Sequence, residues 1–400
     1  MPETLSLRTL KAAVRGAAAA FRCVTDYQPA GGPGDKVFPP TYEGGRYATE
    51  QRIDPETGEV QDCVLLDSVQ SQANRMELAL LEVHRNGAVS LPLLVTRFDQ
   101  DALLRKFTVT SLEAPHRVAD ALFRDSLLDG TIFRKSDKGR ILDVADVRNA
   151  RGMFGLCPMA LVFGLWDSTG PRGGLGAKFQ RALVSEISGY GAVLGVRASS
   201  RIDPAQIMRE TGPVLERKSA ADDKPHWTID PQDGGKELKT GRPSEINHGN
   251  VVPSIKDGGV TVSKARQTTT LSLAVLRRLR FPAEGESESD PEVDAVARTA
   301  LAALGLTAGT LARVDTDLRS RCHLVPEANP VWELLDRPGE PNPSYLLDPD
   351  AAQTLLAEAI NEAKAARLPW DGEIELTPHE DLMELVRRSQ ELAVQAGADD

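Results

Sequence analysis

The sequence predicts an α+β fold on three observations. Strand-like apolar runs and helix-like periodic segments both occur along residues 1–330. Two Gly- and Pro-rich segments, 26–62 and 197–259, are too long for ordinary connections, so we expect them to be insertions into one core domain. Residues 331–400 are acidic and carry two helix-like segments. We therefore expect a core domain over 1–330 and an acidic helical region over 331–400.

Charge is distributed unevenly along the chain. The formal net charge is −11. Residues 1–280 hold 38 Lys or Arg and 33 Asp or Glu, which gives +5, and residues 281–400 hold 9 and 25, which gives −16. A polyanion is therefore expected to bind the first part of the chain and to be repelled by the second.

Several functional classes are disfavoured by what the sequence lacks. Its four cysteines lie far apart without a CxxC pair, as expected of reduced thiols in a cytoplasmic protein rather than of disulfides or a zinc site. No apolar run approaches the length of a membrane span, and no signal peptide is visible. Neither GxSxG nor HExxH occurs. We expect no catalytic residue, no metal and no cofactor.

The first elements are predicted from residues 7–24 and 62–82. A helix-like start at Leu7 is expected to lead into a strand that ends near Val24. Residues 63–66 form a short apolar strand, and Asp67 or Ser68 then supplies an N-cap. The apolar stripe of the following helix is Val69, Ala73, Met76, Leu80 and Val83. Polar side chains at its start, Gln70, Gln72, Asn74 and Arg75, suit an anion such as a phosphate, and a solvated helix start is the alternative.

The segment 26–62 places basic residues among aromatic ones. Lys36 and Arg46 lie close to Phe38, Tyr42 and Tyr47, and the glycines and prolines favour an extended loop or hairpin. Aromatic side chains of this kind stack bases while the cations hold the backbone. A structural loop packed by its own aromatic residues fits the pattern equally well.

The middle of the chain is predicted as two strands, 91–98 and 107–112, followed by an amphipathic helix over 114–128. His116 and Arg117 fall at the N-terminal end of that helix. A lone histidine there is more often a cap or a surface residue than an acid–base catalyst.

A Gly-rich loop follows residues 159–166, which are predicted as a buried strand. A helix with Phe179, Leu183 and Ile187 on one stripe is expected after the loop. A strand, a Gly-rich loop and a helix form a phosphate cradle, here with Arg172, Gly173, Gly174 and Lys178. The loop lacks the Gly-Lys-Ser/Thr sequence of a Walker A motif.

The remaining elements are predicted from their patterns. A strand over 260–273 carries Lys264, Arg266 and Gln267, and a helix closes it. An acidic linker is expected at 281–290, an Ala-rich helix at 293–304 and a strand at 316–326, with helices at 351–367 and 380–395.

Six runs of sequence resemble one protein family. They are GGPGDKVFPPTYEGGRYA, LLDSVQSQANRME, SLEAPHRVADALFRDSLLDG, LVFGLWDSTGPRGGLGAKFQRALVSEI, RPSEINHGN and VSKARQTTTLSLAVLRRLRF. Together they are similar to the RAMP-superfamily backbone subunit (Cas-seven type) of the type I-G, formerly I-U, CRISPR Cascade effector. The resemblance covers roughly residues 20–330 and is weak over 331–400.

The resemblance implies a modified RRM-like (ferredoxin-like) palm with finger and thumb insertions. The implied function is a non-catalytic subunit that polymerises along a CRISPR RNA, for RNA-guided recognition of foreign DNA. Implied partners are the CRISPR RNA, target DNA through the guide, further copies of the chain and other Cascade subunits. The positions expected to contact the RNA are Lys36, Arg46, Gln70, Gln72, Asn74, Arg75, His116, Arg117, Arg172, Gly173, Gly174, Lys178, Asn247, His248, Lys264, Arg266 and Gln267.

Two alternatives remain open. Related backbone subunits of type III effectors cleave target RNA with an acidic residue in the loop before the first helix, and Asp35 occupies such a loop here, so the chain would be a metal-dependent endonuclease. A nucleotide-dependent enzyme that uses the loop at 170–178 is the other.

Overall fold

The computed structural model describes residues 2–54, 57–170, 176–219 and 223–399. Within these residues the protein is a mixed α+β protein. Its strands are β1 (Glu3–Thr4), β2 (Ala20–Pro29), β3 (Thr41–Tyr42), β4 (Arg46–Tyr47), β5 (Thr49–Ile53), β6 (Val60–Asp67), β7 (Leu93–Phe98), β8 (Phe107–Thr110), β9 (Ser126–Leu128), β10 (Thr131–Ile132), β11 (Leu165–Trp166), β12 (Lys178–Phe179), β13 (Leu183–Tyr190), β14 (Val193–Arg201), β15 (Leu215–Arg217), β16 (Trp227–Thr228), β17 (Gly234–Glu237), β18 (Val251–Thr261), β19 (Lys264–Ser272), β20 (Asp317–Arg319), β21 (Cys322–Pro326), β22 (Val331–Leu335), β23 (Ser344–Leu346) and β24 (Glu373–Pro378).

The α-helices are α1 (Leu7–Arg15), α2 (Val69–Arg85), α3 (Ala121–Arg124), α4 (Asp137–Val144), α5 (Arg151–Leu156), α6 (Pro158–Phe163), α7 (Leu273–Leu276), α8 (Pro291–Leu311), α9 (Pro349–Ala365) and α10 (Glu380–Asp399). Short 3-10 helices lie at Glu43–Gly45, Arg117–Ala119, Phe133–Lys135 and Pro243–Ile246.

The chain divides into two compact units. The first comprises Met1–Asp99, Lys106–Val193 and Val260–Met383. The second comprises Gln100–Arg105, Leu194–Gly259 and Glu384–Asp400.

A ten-stranded sheet forms the centre of the first unit. Its strand order is β1-β23-β22-β2-β19-β13-β6-β5. Strand β21 also pairs with β2, and β20 pairs with β21. Along β19 the residues alternate between buried and accessible positions, as expected of a strand with one covered face. Helices α2 and α8 pack on the covered face. We call the other face the open face of the main sheet.

Helices α2 and α8 form as their sequences dictate. The hydroxyl of Ser68 accepts a hydrogen bond from the backbone N–H of Ser71, which caps α2 and confirms one of the two predicted N-caps. Ala73, Met76, Leu80 and Val83 of the predicted stripe are buried. Helix α8 is Ala-rich and buried almost throughout, because it packs against α1, α2, α6 and α9.

A second sheet of the first unit has the strand order β10-β9-β24-β7-β8, in which β24 runs parallel to β7. The second unit contains the two-stranded ribbon β14-β18 and a three-stranded sheet, β16-β15-β17. All four cysteines are buried and unpaired, as predicted. In the part of the chain that the structure describes, no helix is both long and apolar enough to cross a membrane.

Two predictions around the Gly-rich loop are wrong. Most of the segment 159–166 belongs to helix α6, which ends at Phe163 and is buried on every side, and only Leu165 and Trp166 form a strand, β11. A short apolar run cannot distinguish a buried strand from a buried helix. Strands β12 and β13, not a helix, follow the loop. The buried residues of β13 include Leu183, Ser185 and Ile187, which are alternate positions of a strand. The four-residue spacing of Leu183 and Ile187, which was interpreted as a helix stripe, is therefore also a strand spacing.

Other element predictions need correction in extent or type. The predicted helix over 114–128 is interrupted, because Asp120 has extended backbone and caps α3 through Leu122 N–H. The predicted strand 316–326 is a hairpin that turns at Arg321, whose φ is +62°. The helix expected after β19 is only the single turn α7. Residues 331–400 contain the strands β22, β23 and β24 besides the two predicted helices.

Candidate nucleic-acid interface

The N-terminus of α2 is held by a buried carboxylate. Asp67 Oδ2 accepts hydrogen bonds from Gln72 Nε2 at 2.6 Å and from Arg75 Nε at 3.0 Å. Arg75 Nη2 also donates to the carbonyl of Leu318 at 2.6 Å. The guanidinium of Arg75 is therefore fixed by protein groups at the edge of the core.

A network of buried amides lies behind this helix start. Gln72 Oε1 accepts from Ser185 Oγ at 2.9 Å and from Gln267 Nε2 at 2.6 Å, while Tyr27 OH donates to Gln267 Oε1 at 2.8 Å. Gln72 and Gln267 are each 2% exposed. Neither amide reaches the surface, so their burial is at odds with the predicted RNA contacts and we do not carry them into the interface. At the same helix start, Gln70 and Asn74 are exposed.

A groove of about 680 Å³ lies beside this helix start in the first unit. It is lined by residues 115–117, 163–166 and 178–181, together with Val147 and Ser168. We call it the Trp166 groove. It brings together three positions that the sequence predicts separately as RNA contacts, namely His116, Arg117 and Lys178.

The hairpin of β11 and β12 forms one wall of the groove. Leu165 pairs with Phe179, and both side chains are buried. Trp166 pairs with Lys178, and the two side chains point the opposite way because alternate residues of a strand face opposite sides. The Lys178 Nζ lies 5.8 Å from the centroid of the Trp166 ring, and the tryptophan is 68% exposed.

A buried ion pair supports the floor of the groove. Arg117 donates to both carboxylate oxygens of Glu77, at 2.6 and 2.9 Å, and to the carbonyl of Gly164 at 3.1 Å. The Glu77 side chain is 3% exposed and that of Arg117 10%. Burial raises the pKa of Glu77, and the neighbouring Arg117 opposes that shift. Arg117 therefore stabilises the fold, whereas the sequence predicted it as an RNA contact at the N-terminal end of a helix.

Arg181 joins the groove to α2. Its Nε donates to the carbonyl of Phe163 at 3.1 Å, and its Nη1 donates to the carbonyl of Val69 at 3.4 Å. Burial and the nearby Arg117 lower the pKa of Arg181. An anion in the groove would relieve this cost by adding a negative charge.

Several cationic side chains around the groove lack a carboxylate partner. Arg278 Nη1 donates to Gln180 Oε1 at 3.1 Å, which places it at the rim. In the part of the chain with described positions, no carboxylate lies within 4.0 Å of the charged groups of Lys178, Arg181 or Arg278, nor of the exposed His116 ring. This surface is therefore positive and suits a polyanion.

Three residues of this surface, Trp166, Arg181 and Arg278, are not among the RNA contacts predicted from the sequence. The alternation of buried and exposed residues in Leu165-Trp166 and Lys178-Phe179 could have identified Trp166 as an outward-facing residue. It was not recognised, because residues 159–166 were predicted as one buried strand and the residues after the loop as a helix.

The predicted phosphate cradle is not formed as expected. Arg172, Gly173 and Gly174 lie outside the described residues. Lys178 begins β12, and residues 176–190 contain no helix whose N-terminus could bind a phosphate.

Other predicted contacts lie elsewhere in the first unit. Lys36 is half-buried and Arg46 is exposed in the β3–β4 hairpin. The exposed Asp35 accepts a hydrogen bond from the Lys36 N–H at 2.8 Å. Over residues 2–54, 57–170, 176–219 and 223–399 there is no group of three metal-ligating side chains.

The open face of the main sheet carries Lys264 and Arg266. Arg266 forms two hydrogen bonds to Asp26, at 2.6 and 2.7 Å, and lowers the pKa of that carboxyl. Lys264 and Arg52 each lie 5.8 Å from the centroid of the Tyr190 ring. Arg266 on this face is therefore already paired with a carboxylate.

Asn247 and His248 belong to the second unit. Both are exposed, and Asn247 adopts a left-handed conformation, with φ +60°, after a 3-10 helix. The His248 ring packs edge-on against Trp227, with centroids 6.1 Å apart.

Comparison with known proteins finds one family. No curated protein matches the chain. Residues 21–194 match the family model described as CRISPR-associated protein GSU0053. The matched segment contains α2 and every residue that lines the Trp166 groove. Residues 21–194 are therefore similar to a CRISPR-associated protein family.

Proposed function

We propose that the protein is a non-catalytic backbone subunit that binds CRISPR RNA in a type I-G Cascade complex. The observation that carries the proposal is the Trp166 groove, where an exposed aromatic ring lies among cations without carboxylate partners. Single-stranded nucleic acids are bound by this combination, because cations hold the phosphates and aromatic rings stack the bases.

The topology of the first unit supports an RRM-like palm. Along the chain, six elements have the order β-α-β-β-α-β, with other elements between them: β2, α2, β13, β19, α8 and β22. Their strands lie side by side as β22-β2-β19-β13, each antiparallel to its neighbour. This is the connectivity of a ferredoxin-like unit. The other elements are insertions into it or additions to its edges.

The partners follow from the same proposal. The RNA backbone is the direct ligand, and target DNA is recognised by base pairing with the guide. Further copies of the chain and other Cascade subunits would complete a cytoplasmic ribonucleoprotein. Support for this wider assembly comes from the resemblance and from the CRISPR-associated family match over residues 21–194.

We propose a non-catalytic role because, among the described residues, the nominated Asp35 belongs to no group of three metal-ligating side chains. Asp35 is exposed, and its carboxylate is engaged with the adjacent N–H of Lys36. Metal-assisted cleavage requires groups that hold the ion beside the scissile phosphate. No observation favours the endonuclease over the scaffold.

The proposal is tested by RNA binding as a function of salt. Labelled single-stranded RNAs of unrelated sequence are titrated with the protein, and fluorescence anisotropy gives the affinity at several salt concentrations. If four to six phosphates are neutralised, the slope of log K against log salt is about −3 to −4, at roughly 0.7 per phosphate. A flat response to salt, or binding to one sequence alone, would contradict the proposal.

A further inference from the structure

We infer that the Trp166 groove contains a stacking subsite for one unpaired nucleobase, with the adjoining phosphate held by Lys178 and Arg181. That the base belongs to RNA rests on the proposed function. The chemistry of the subsite itself follows from the geometry of the groove.

The exposure of Trp166 is set by its strand position. Its hairpin neighbours Leu165 and Phe179 fill the core, so the alternation of the strand holds the indole outward. A tryptophan that is 68% exposed forgoes most of the burial that usually stabilises so large a side chain. The buried side of the hairpin fixes the backbone that carries this exposed ring. Binding a ligand to the ring therefore costs little conformational entropy.

The surrounding charges favour a base that carries a phosphate over a purely apolar ligand. Lys178 lies above the ring at 5.8 Å, and Arg181 is held by two backbone carbonyls at the groove. An apolar ligand would desolvate both cations without compensation. A nucleotide places a flat π-face on the indole and leaves its phosphate for the cations.

The ligand must present an unstacked base. Bases inside a duplex are covered on both faces by their neighbours, so only a single strand or a free nucleotide can stack on a protein ring. The groove, at about 680 Å³, falls in the size range of sites for small ligands, which fits one nucleotide. A single-stranded RNA and a free nucleotide share this chemistry, and the experiment must separate them.

The experiment uses the full chain and a single-stranded RNA with 2-aminopurine at successive positions. We expect strong quenching of the probe at one or a few positions and about 10-fold weaker RNA binding in Trp166→Ala. Trp166→Phe should keep most of the affinity. The salt slope should be unchanged in Trp166→Ala, because no phosphate contact is lost, while Lys178→Ala should reduce its magnitude by about 0.7.

Controls separate a local effect from misfolding. Leu104 is 66% exposed, close to the exposure of Trp166, and is not among the residues that line the groove, so Leu104→Ala is a matched truncation that should leave affinity unchanged. Thermal melting should be the same for Trp166→Ala and the wild type. If Trp166→Ala unfolds, probe quenching in the wild type and the affinity of Trp166→Phe decide the question.

The outcomes distinguish the subsite from the proposed function. RNA binding with a normal salt slope, but no quenching and no loss in Trp166→Ala, would overturn the subsite and leave the scaffold intact. If RNA does not bind, the proposed function fails, and an ATP titration decides the subsite. Quenching of tryptophan fluorescence by ATP that is lost in Trp166→Ala would then support the subsite, and its absence would overturn it.

Discussion

Replacing Glu77 by Gln should destabilise the first unit strongly. Glu77 and Arg117 form two hydrogen bonds, at 2.6 and 2.9 Å, in a nearly inaccessible environment. The substitution keeps the shape of the side chain but removes its charge, so the guanidinium of Arg117 remains buried without a counter-ion. Removing one partner of a buried pair costs about 3–5 kcal/mol.

This free energy corresponds to a measurable shift in melting temperature. The first unit contains about 310 residues, for which the entropy of unfolding is about 0.65 kcal/mol/K at roughly 2.1 cal/mol/K per residue. A loss of 3–5 kcal/mol then lowers the melting temperature by about 5–8 °C. The pair also supports Gly164 in the groove, so RNA affinity should fall in the folded variant.

Circular dichroism melts of three variants test this reasoning. Glu82→Gln is the matched control on the same helix, because its pair with Arg85 is exposed and should contribute less than about 0.5 kcal/mol. The double variant Glu77→Leu, Arg117→Met replaces both charges by apolar groups and should recover much of the lost stability. A Glu77→Gln variant that melts within about 1 °C of the wild type would refute the structural role of the pair.

Three further predictions concern charge and chemistry. Lys178→Ala should weaken RNA binding at unchanged stability, whereas Arg8→Ala, an exposed cation outside the groove, should leave RNA binding unaltered, as anisotropy titrations would reveal. Asp26→Asn should cost about 0.5 kcal/mol at pH 7, since Arg266 lowers the pKa of Asp26; denaturant titrations should show the full difference above the ordinary aspartate pKa of 3.8, and the difference should shrink as the pH falls through the lowered pKa of the folded protein. Complementary labelled RNA incubated with the assembled complex and Mg²⁺ or Mn²⁺ should stay intact, and cuts at regular intervals that Asp35→Ala abolishes would favour the endonuclease.

The sequence predicted best those elements that have a single apolar face. Helix α2 was recognised from its stripe and its cap, because the amphipathic period of 3.6 is unambiguous over seventeen residues. Helix α6 was missed because residues that are buried on every side show no period. The strands β22 and β24 were missed because each pairs with a strand that is distant in the sequence, β22 with β2 and β24 with β7.

The candidate site was predicted in part, for a related reason. Residue type identified His116 and Lys178, which the fold brings into one groove. The same logic selected Gln72 and Gln267, whose amides instead satisfy one another in the core. Pattern alone cannot tell a polar side chain that faces solvent from one that completes a buried network, because both break the apolar stripe.

The length of the RNA that co-purifies with the protein tests the central claim most directly. The chain would be expressed with a CRISPR array and its companion subunits, purified through a tag on this subunit, and its bound RNA extracted and sequenced. The account predicts one RNA species of defined length that derives from the array, and its loss on washing at high salt together with substitution of Lys178 and Trp166. Protein that carries no RNA, or RNA of random length and origin, would contradict it.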